Sequence, residues 1–218
     1  MKKLVIFDLD GTLINSIKDL GAATNYALGM HGYPQHSLEA YPMFVGNGVN
    51  KLIERALPVE SRSEKTILNL RKDFTEYYDV HNTDYTVPYE GMVSLLDNLK
   101  EEGLMVAVAS NKYEAATVKL VHHFFPKIEF VAICGQKDGV PVKPDPSVVF
   151  EILSVAGVRK QDTLYVGDSG VDMETARRAC VDSVGVTWGF RSIAELQEAN
   201  AGTIVSKAEE ILDIAMQE

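Results

Sequence analysis

Two aspartates, Asp8 and Asp10, stand one residue apart where the apolar run Leu4-Val5-Ile6-Phe7 ends, and Gly11 follows them. In an extended chain they point the same way, because side chains alternate with period two. Two like charges ~4 Å apart at an effective dielectric of ~20 repel by roughly 4 kcal/mol. A cation between them, or a proton on one of them, relieves that repulsion. The plainer reading is a strand running into a solvated Asp-x-Asp-Gly turn. Further along lie Ser110 in Ser110-Asn111-Lys112, Lys143 in Val142-Lys143-Pro144-Asp145-Pro146, and Asp168 and Asp172 in Gly167-Asp168-Ser169-Gly170-Val171-Asp172. Such a set of carboxylates, one hydroxyl and one lysine suits Mg²⁺, a hard cation that takes oxygen ligands and shares them with a phosphate.

Each of these residues also has a structural explanation. Ser110 can cap the helix that follows it, and Asp172 can be the partner of Ser169 in a capping box. Lys143 can be a solvated loop lysine, although Pro144 and Pro146 stiffen its loop and would help to aim it. Asp168, directly after the apolar Val166-Gly167, is harder to explain in that way.

The elements that must position these residues follow from hydrophobic periodicity. Unbroken apolar runs near 3–7, 104–109, 128–133, 163–166 and 183–187 read as strands buried on both faces. Helical patterns separate them, at about 91–102, 114–123, 145–157 and 170–179. Pro146 fits the first helical position. Residues 15–80 instead read as helices throughout: about 16–30 after Ser16 and Asp19, 49–57 after the Gly46-Asn47-Gly48 turn, and a longer one opened by Ser61 and Glu64. Ser192 with Glu195 and Ser206 with Glu209 are capping boxes for the last helices. Continuous apolar strands alternating with helices predict an α/β, doubly wound, Rossmann-like parallel sheet covered on both faces. Ligands of such sheets sit at the carboxyl ends of the strands, where all the residues above fall.

Composition narrows the function. Acidic residues outnumber basic ones by 31 to 21, for a formal charge of −10, which argues against a nucleic-acid partner. No run approaches the ~20 apolar residues of a membrane span, and the apolar start stops at Asp8, short of a signal peptide. A soluble cytoplasmic protein with no membrane partner is expected. The two cysteines, Cys134 and Cys180, sit among apolar neighbours and predict buried free thiols.

Asp8-Leu9-Asp10-Gly11-Thr12-Leu13, then Ser110, then Lys143, then Asp168 with Asp172, resembles the four motifs of the haloacid dehalogenase superfamily, in order and across the whole chain. Ser110-Asn111-Lys112, the Lys143 loop and Thr187-Trp188-Gly189-Phe190-Arg191-Ser192 are similar to its phosphoglycolate phosphatase branch. The resemblance implies a core of residues 1–14 and 84–218 and a small all-helical cap of residues 15–83 inserted after the first strand. It implies a Mg²⁺-dependent phosphomonoesterase: Asp8 as nucleophile, Asp10 as acid and base, Mg²⁺ on Asp8, Asp168 and the main chain of Asp10, and Asp172 orienting bound water. Ser110, Asn111 and Lys143 would hold the phosphoryl oxygens of a small phosphorylated metabolite, first of all 2-phosphoglycolate. The second aspartate separates this pattern from the dehalogenases. In the cap, Gly46-Asn47-Gly48 can approach the site, and Asn47 and Lys51 are candidate substrate contacts, against the alternative of a solvated helix face. A pyrophosphatase, a sugar-phosphate phosphatase or mutase, and a non-catalytic phosphate-binding module are the competing readings.

Overall fold

The computed structural model describes residues 1–217. Every residue of β1 (Leu4–Phe7) is buried, and the strand pairs in parallel on both sides, with β4 (Met105–Tyr113) and β6 (Thr163–Gly167). The sheet is completed by β5 (Ala132–Gln136), β7 (Asp182–Val186) and β8 (Thr203–Val205), in the order β5-β4-β1-β6-β7-β8, all parallel. The period-two alternation sorts the apolar residues. Val5, Phe7, Val106, Val108, Leu164 and Val166 face α5 (Met92–Glu101), α6 (Glu114–Phe124) and α10 (Glu209–Met216). Leu4, Ile6, Ala107, Ala109 and Tyr165 face α7 (Ser147–Ala156) and α8 (Gly170–Ala179). A short helix, α9 (Ile193–Glu198), precedes β8. The doubly wound α/β sheet expected from periodicity is the observed one.

Residues between β1 and α5 behave differently. α1 (Ile17–Met30), α2 (Tyr41–Phe44), α3 (Val49–Ala56) and α4 (Glu64–His81) bury Leu20, Leu28, Tyr41, Ile53, Phe74 and Tyr78 in an apolar cluster of their own. A two-stranded antiparallel ribbon, β2 (Ile14–Asn15) with β3 (Val87–Pro88), carries the chain out of the sheet layer and back. The buried Asp19 fastens this crossing. Its carboxylate accepts from the N–H groups of Tyr85 (3.1 Å) and Thr86 (2.9 Å) and from the Thr86 hydroxyl (2.6 Å).

Several local expectations are corrected. β5 lies at Ala132–Gln136, later than 128–133, because Ile128 turns into the core beside Phe125 and β4 continues past Ala109. β8 is a sixth strand of three residues, too short to leave a pattern. Ser16 and Asp19 make no capping box, since Asp19 holds residues 85–86. Ser61 closes a 3₁₀ turn, and Ser63 caps α4 by accepting from Thr66 N–H. Glu210, not Glu209, receives the N–H groups of Ser206 and Lys207. Ser192 caps α9 as expected, but Glu195 does not close the box, its carboxylate accepting from Gly170 N–H instead. Cys134 is buried, but Cys180 is exposed because it ends α8 in a left-handed turn with φ 58°. Among the described residues, no helix is long and apolar enough to cross a membrane.

Candidate active site

β1, β4 and β6 end side by side, so their last residues meet at one rim of the sheet. Asp8 extends β1 by one residue, its N–H bonded to Val166 O at 2.9 Å. Asp168 follows the end of β6, and Ser110 lies in the carboxyl half of β4. Lys143 arrives from the loop between β5 and α7 and is 3 % exposed. Its ammonium donates to Asp172 Oδ1 at 2.8 Å and to Ala109 O at 2.9 Å, and forms an ion pair with Asp8 Oδ1 at 2.8 Å. The Asn111 side chain fixes that loop, accepting from Lys143 N–H (2.9 Å) and donating to Lys143 O (3.1 Å). It also donates to Gly46 O in the helical segment at 3.1 Å.

Asp172 makes the capping box that the sequence offered and, through its other oxygen, contacts that the sequence did not indicate. Its Oδ2 accepts from Ser169 N–H and Oγ, completing the capping box of α8. Its Oδ1 accepts from Lys143 and from the Tyr165 hydroxyl at 3.3 Å. Asp168 is held by Phe190 N–H at 2.7 Å on Oδ2. Glycine makes this carboxylate possible. A Cβ on Gly11, whose φ is +89°, or on Gly189 would overlap the Asp168 side chain.

Oxygen atoms of Asp8, Asp168 and Asp172 lie within 4.8 Å of one another, all buried. Burial, with Asp172 and Asp10 nearby and only Lys143 opposing, pushes the Asp8 carboxyl up to about 7. Burial, then Asp172 and Asp8, hold Asp168 well above the carboxylate range. Burial alone would lower Lys143, but Asp172 and Asp8 outweigh it and keep the ammonium charged. One lysine among three carboxylates leaves an excess of negative charge in a low-dielectric site, and a divalent cation with oxygen preference fits that donor set. Asp172 already has both oxygens engaged, whereas Asp8 Oδ2 and Asp168 Oδ1 have no hydrogen-bond partner among the described residues.

The Asp10 side chain turns away from this cluster. Ser16 Oγ donates to its Oδ1 at 2.5 Å, and Lys112 Nζ lies 3.1 Å from its Oδ2. Ser110, 6 % exposed, lines a cavity of about 50 Å³ with Asp8, Asp10, Asn111, Lys112 and Lys143. The helical segment closes its other side with Leu20, Val45, Gly46, Gly48, Val49, Leu52, Phe74 and Tyr78.

Asn47 and Lys51 are not brought to the cavity. The Lys51 ammonium pairs with Glu54 at 2.6 Å and is half exposed, and the Asn47 side chain accepts from Arg55 at 2.6 Å. α3, which carries Lys51 and follows Asn47, presents Val49 and Leu52 to the cavity instead. Two residues left without a role by the sequence, Lys112 and Tyr78, do reach the cavity. Lys112 and Tyr78 meet beside Asp10. Arg191 crosses from the loop after β7 to donate to Pro42 O and Val45 O, both at 2.8 Å. The position of Lys112, two residues after Ser110 at a strand end, was its available signal.

These features define a hydrolase of known type: residues 5–186 match the family of haloacid dehalogenase-like hydrolases, and the chain belongs to it. Within that family it stands among the phosphatases. It is 36 % identical over 197 residues to phosphoglycolate phosphatase of Pseudomonas putida, covering 87 % of this chain and 71 % of that one. A solved structure from Lactobacillus delbrueckii subsp. bulgaricus superposes with a TM-score of 0.93 at 33 % identity, covering all of both chains. A predicted phosphoglycolate phosphatase from Haemophilus somnus superposes with a TM-score of 0.90 at 28 % identity, over 99 % of this chain and 98 % of that one.

Proposed function

We propose that the chain hydrolyses a small phosphate monoester in two displacements, with 2-phosphoglycolate as the first candidate substrate and Mg²⁺ as cofactor. The observation that carries this reading is the buried meeting of Asp8, Lys143, Asp168 and Asp172 at one sheet rim. Asp8 Oδ2, free of hydrogen bonds among the described residues, attacks phosphorus. The Asp8–phosphorus bond forms as the bond to the leaving oxygen breaks, and Asp10 gives its proton to that oxygen. Water then attacks the aspartyl-phosphate, Asp10 takes its proton, and phosphate leaves Asp8. Ser110, the N–H of Asn111 and Lys143 hold the phosphoryl oxygens, and Asp172 keeps Lys143 aimed.

Asp8, Asp168 and the main-chain carbonyl of Asp10 would hold Mg²⁺, which when bound supplies positive charge between carboxylates and phosphoryl oxygens. The charge balance supports the need for it. A phosphate dianion beside ionised Asp8 and Asp168 is only partly offset by Lys143.

Residues 15–83 act in this reading as a cap over a core of 1–14 and 84–218. The separate apolar cluster and the β2–β3 ribbon support that division. The small cavity favours a small leaving group, and the setting is cytoplasmic. The test is a panel of 2-phosphoglycolate, pyrophosphate and hexose phosphates, scored by kcat/KM with Mg²⁺ and with chelator. Highest kcat/KM for 2-phosphoglycolate, lost on chelation, is expected. Higher efficiency on pyrophosphate or a hexose phosphate overturns the substrate assignment, and no phosphate release with any divalent ion overturns the hydrolase mechanism.

A further inference from the structure

Lys112 is 8 % exposed, an unusual state for a lysine. It does not belong to the cluster around Lys143. Its Nζ lies 3.1 Å from Asp10 Oδ2, donates to the Tyr78 hydroxyl at 2.8 Å and stands 4.5 Å from the centre of the Tyr78 ring. Ser16 Oγ holds the other Asp10 oxygen. The Asp10 carboxyl is therefore gripped at both oxygens, from the start of α1 and from the end of β4. One of those grips leans on α4, because Tyr78 is fully buried in the helical segment. A buried ammonium is tolerated only where it is paired, and here its partners come from the sheet rim and from the helices above it.

We propose that Lys112 is a positioning residue that aims the Asp10 carboxyl at the leaving-group oxygen, and that Tyr78 makes this aim depend on α4 being seated over the cavity. This rests on the reading of Asp10 as the proton donor given above. When the phosphorus–oxygen bond breaks, the proton of Asp10 goes to the departing oxygen. An alkoxide needs that proton to leave, whereas 4-nitrophenolate leaves without it. A loosened Asp10 therefore slows alkyl esters far more than the aryl ester. Loss of a structural support slows all of them alike.

The test measures kcat/KM of Lys112→Met and Tyr78→Phe on 2-phosphoglycolate, ethyl phosphate and 4-nitrophenyl phosphate, since kcat/KM reports steps through the first bond cleavage. Lys112→Met is expected to raise the aryl-to-alkyl ratio by about 30-fold, against the 10²–10⁴-fold typical of general acid catalysis. The ratio should rise equally for both alkyl esters. Tyr78→Phe should raise it by about threefold. An unchanged ratio, or a loss on 2-phosphoglycolate that spares ethyl phosphate, overturns the proposal. The last result would make Lys112 a carboxylate contact. If circular dichroism finds Lys112→Met unfolded, the ratio for Tyr78→Phe decides alone. A wild-type enzyme inactive on all three esters overturns the proposed function itself, and this inference with it. Wild-type turnover with a flat ratio overturns only this inference.

Discussion

The two ends of one sheet treat charge in opposite ways. At the amino end, Arg159 pairs with Asp162 at 2.8 Å and Lys2 pairs with Asp182, with Arg159 and Asp182 mostly in water. At the carboxyl end, Asp8, Asp168, Asp172 and Lys143 are almost wholly buried. The same residue type shifts in opposite directions as a result. The guanidinium beside Asp162 lowers its carboxyl pKa, whereas burial pushes Asp8 up to about 7. Solvated pairs of opposite charge are close to self-sufficient and contribute little. A buried excess of carboxylate is destabilising by itself and is explained by something that arrives to neutralise it. The contrast separates a surface from a site without reference to any motif.

The contrast can be broken most directly at Asp8. Asp8→Asn removes the attacking oxygen and should reduce kcat by about a thousandfold or more, while circular dichroism shows an unchanged fold. Near-normal turnover would mean that the cluster is not the nucleophile's site. Lys143→Met should be next. Loss of the cation beside phosphate should lower kcat by about a hundredfold. Leaving Asp8 and Asp172 without their partner should destabilise the metal-free protein by about 3 kcal/mol, measured by urea denaturation.

The acid–base behaviour of the rim offers a gentler probe. Asp8 and Asp168 have folded pKa values above their unfolded ones. The protons bound there stabilise the folded chain at low pH, and that stabilisation is lost as pH rises from about 4 through about 7. Lys143 stays charged across that window. The Tm of the metal-free protein should therefore fall between pH 5 and pH 8, and the rise in Tm caused by added Mg²⁺ should be larger at pH 8. A Mg²⁺ effect independent of pH would count against a metal on these carboxylates. At the small end of the scale, Arg159→Ala should leave kcat/KM unchanged and Tm within measurement error. A clear loss of either would blur the distinction between the two ends.

Much of the site was legible because strand ends are easy to locate. The apolar run Leu4–Phe7 marks where Asp8 must emerge, and the run ending at Val166 does the same for Asp168. The parallel order of the sheet follows from the alternation of strands and helices. Side chains with two available partners were less legible. Ser16 and Asp19 carry the spacing of a helix cap, yet one holds Asp10 and the other holds the returning chain at residues 85–86. Lys51 reads as a cation at a binding loop, yet it pairs with Glu54 on the surface. Lys112 reads as one more polar residue after a strand, yet it is buried against Asp10 and Tyr78.

Local sequence determined where the strands run and which carboxylates stand at their ends, because the side-chain periodicity of a strand acts over a few residues. Only the folded chain decided which donor meets which acceptor. Lys112 finds Tyr78 across 34 positions of sequence and Arg191 finds Val45 across 146. Such pairings depend on how the helical segment docks on the sheet, and docking is a property of whole packed faces rather than of any short stretch.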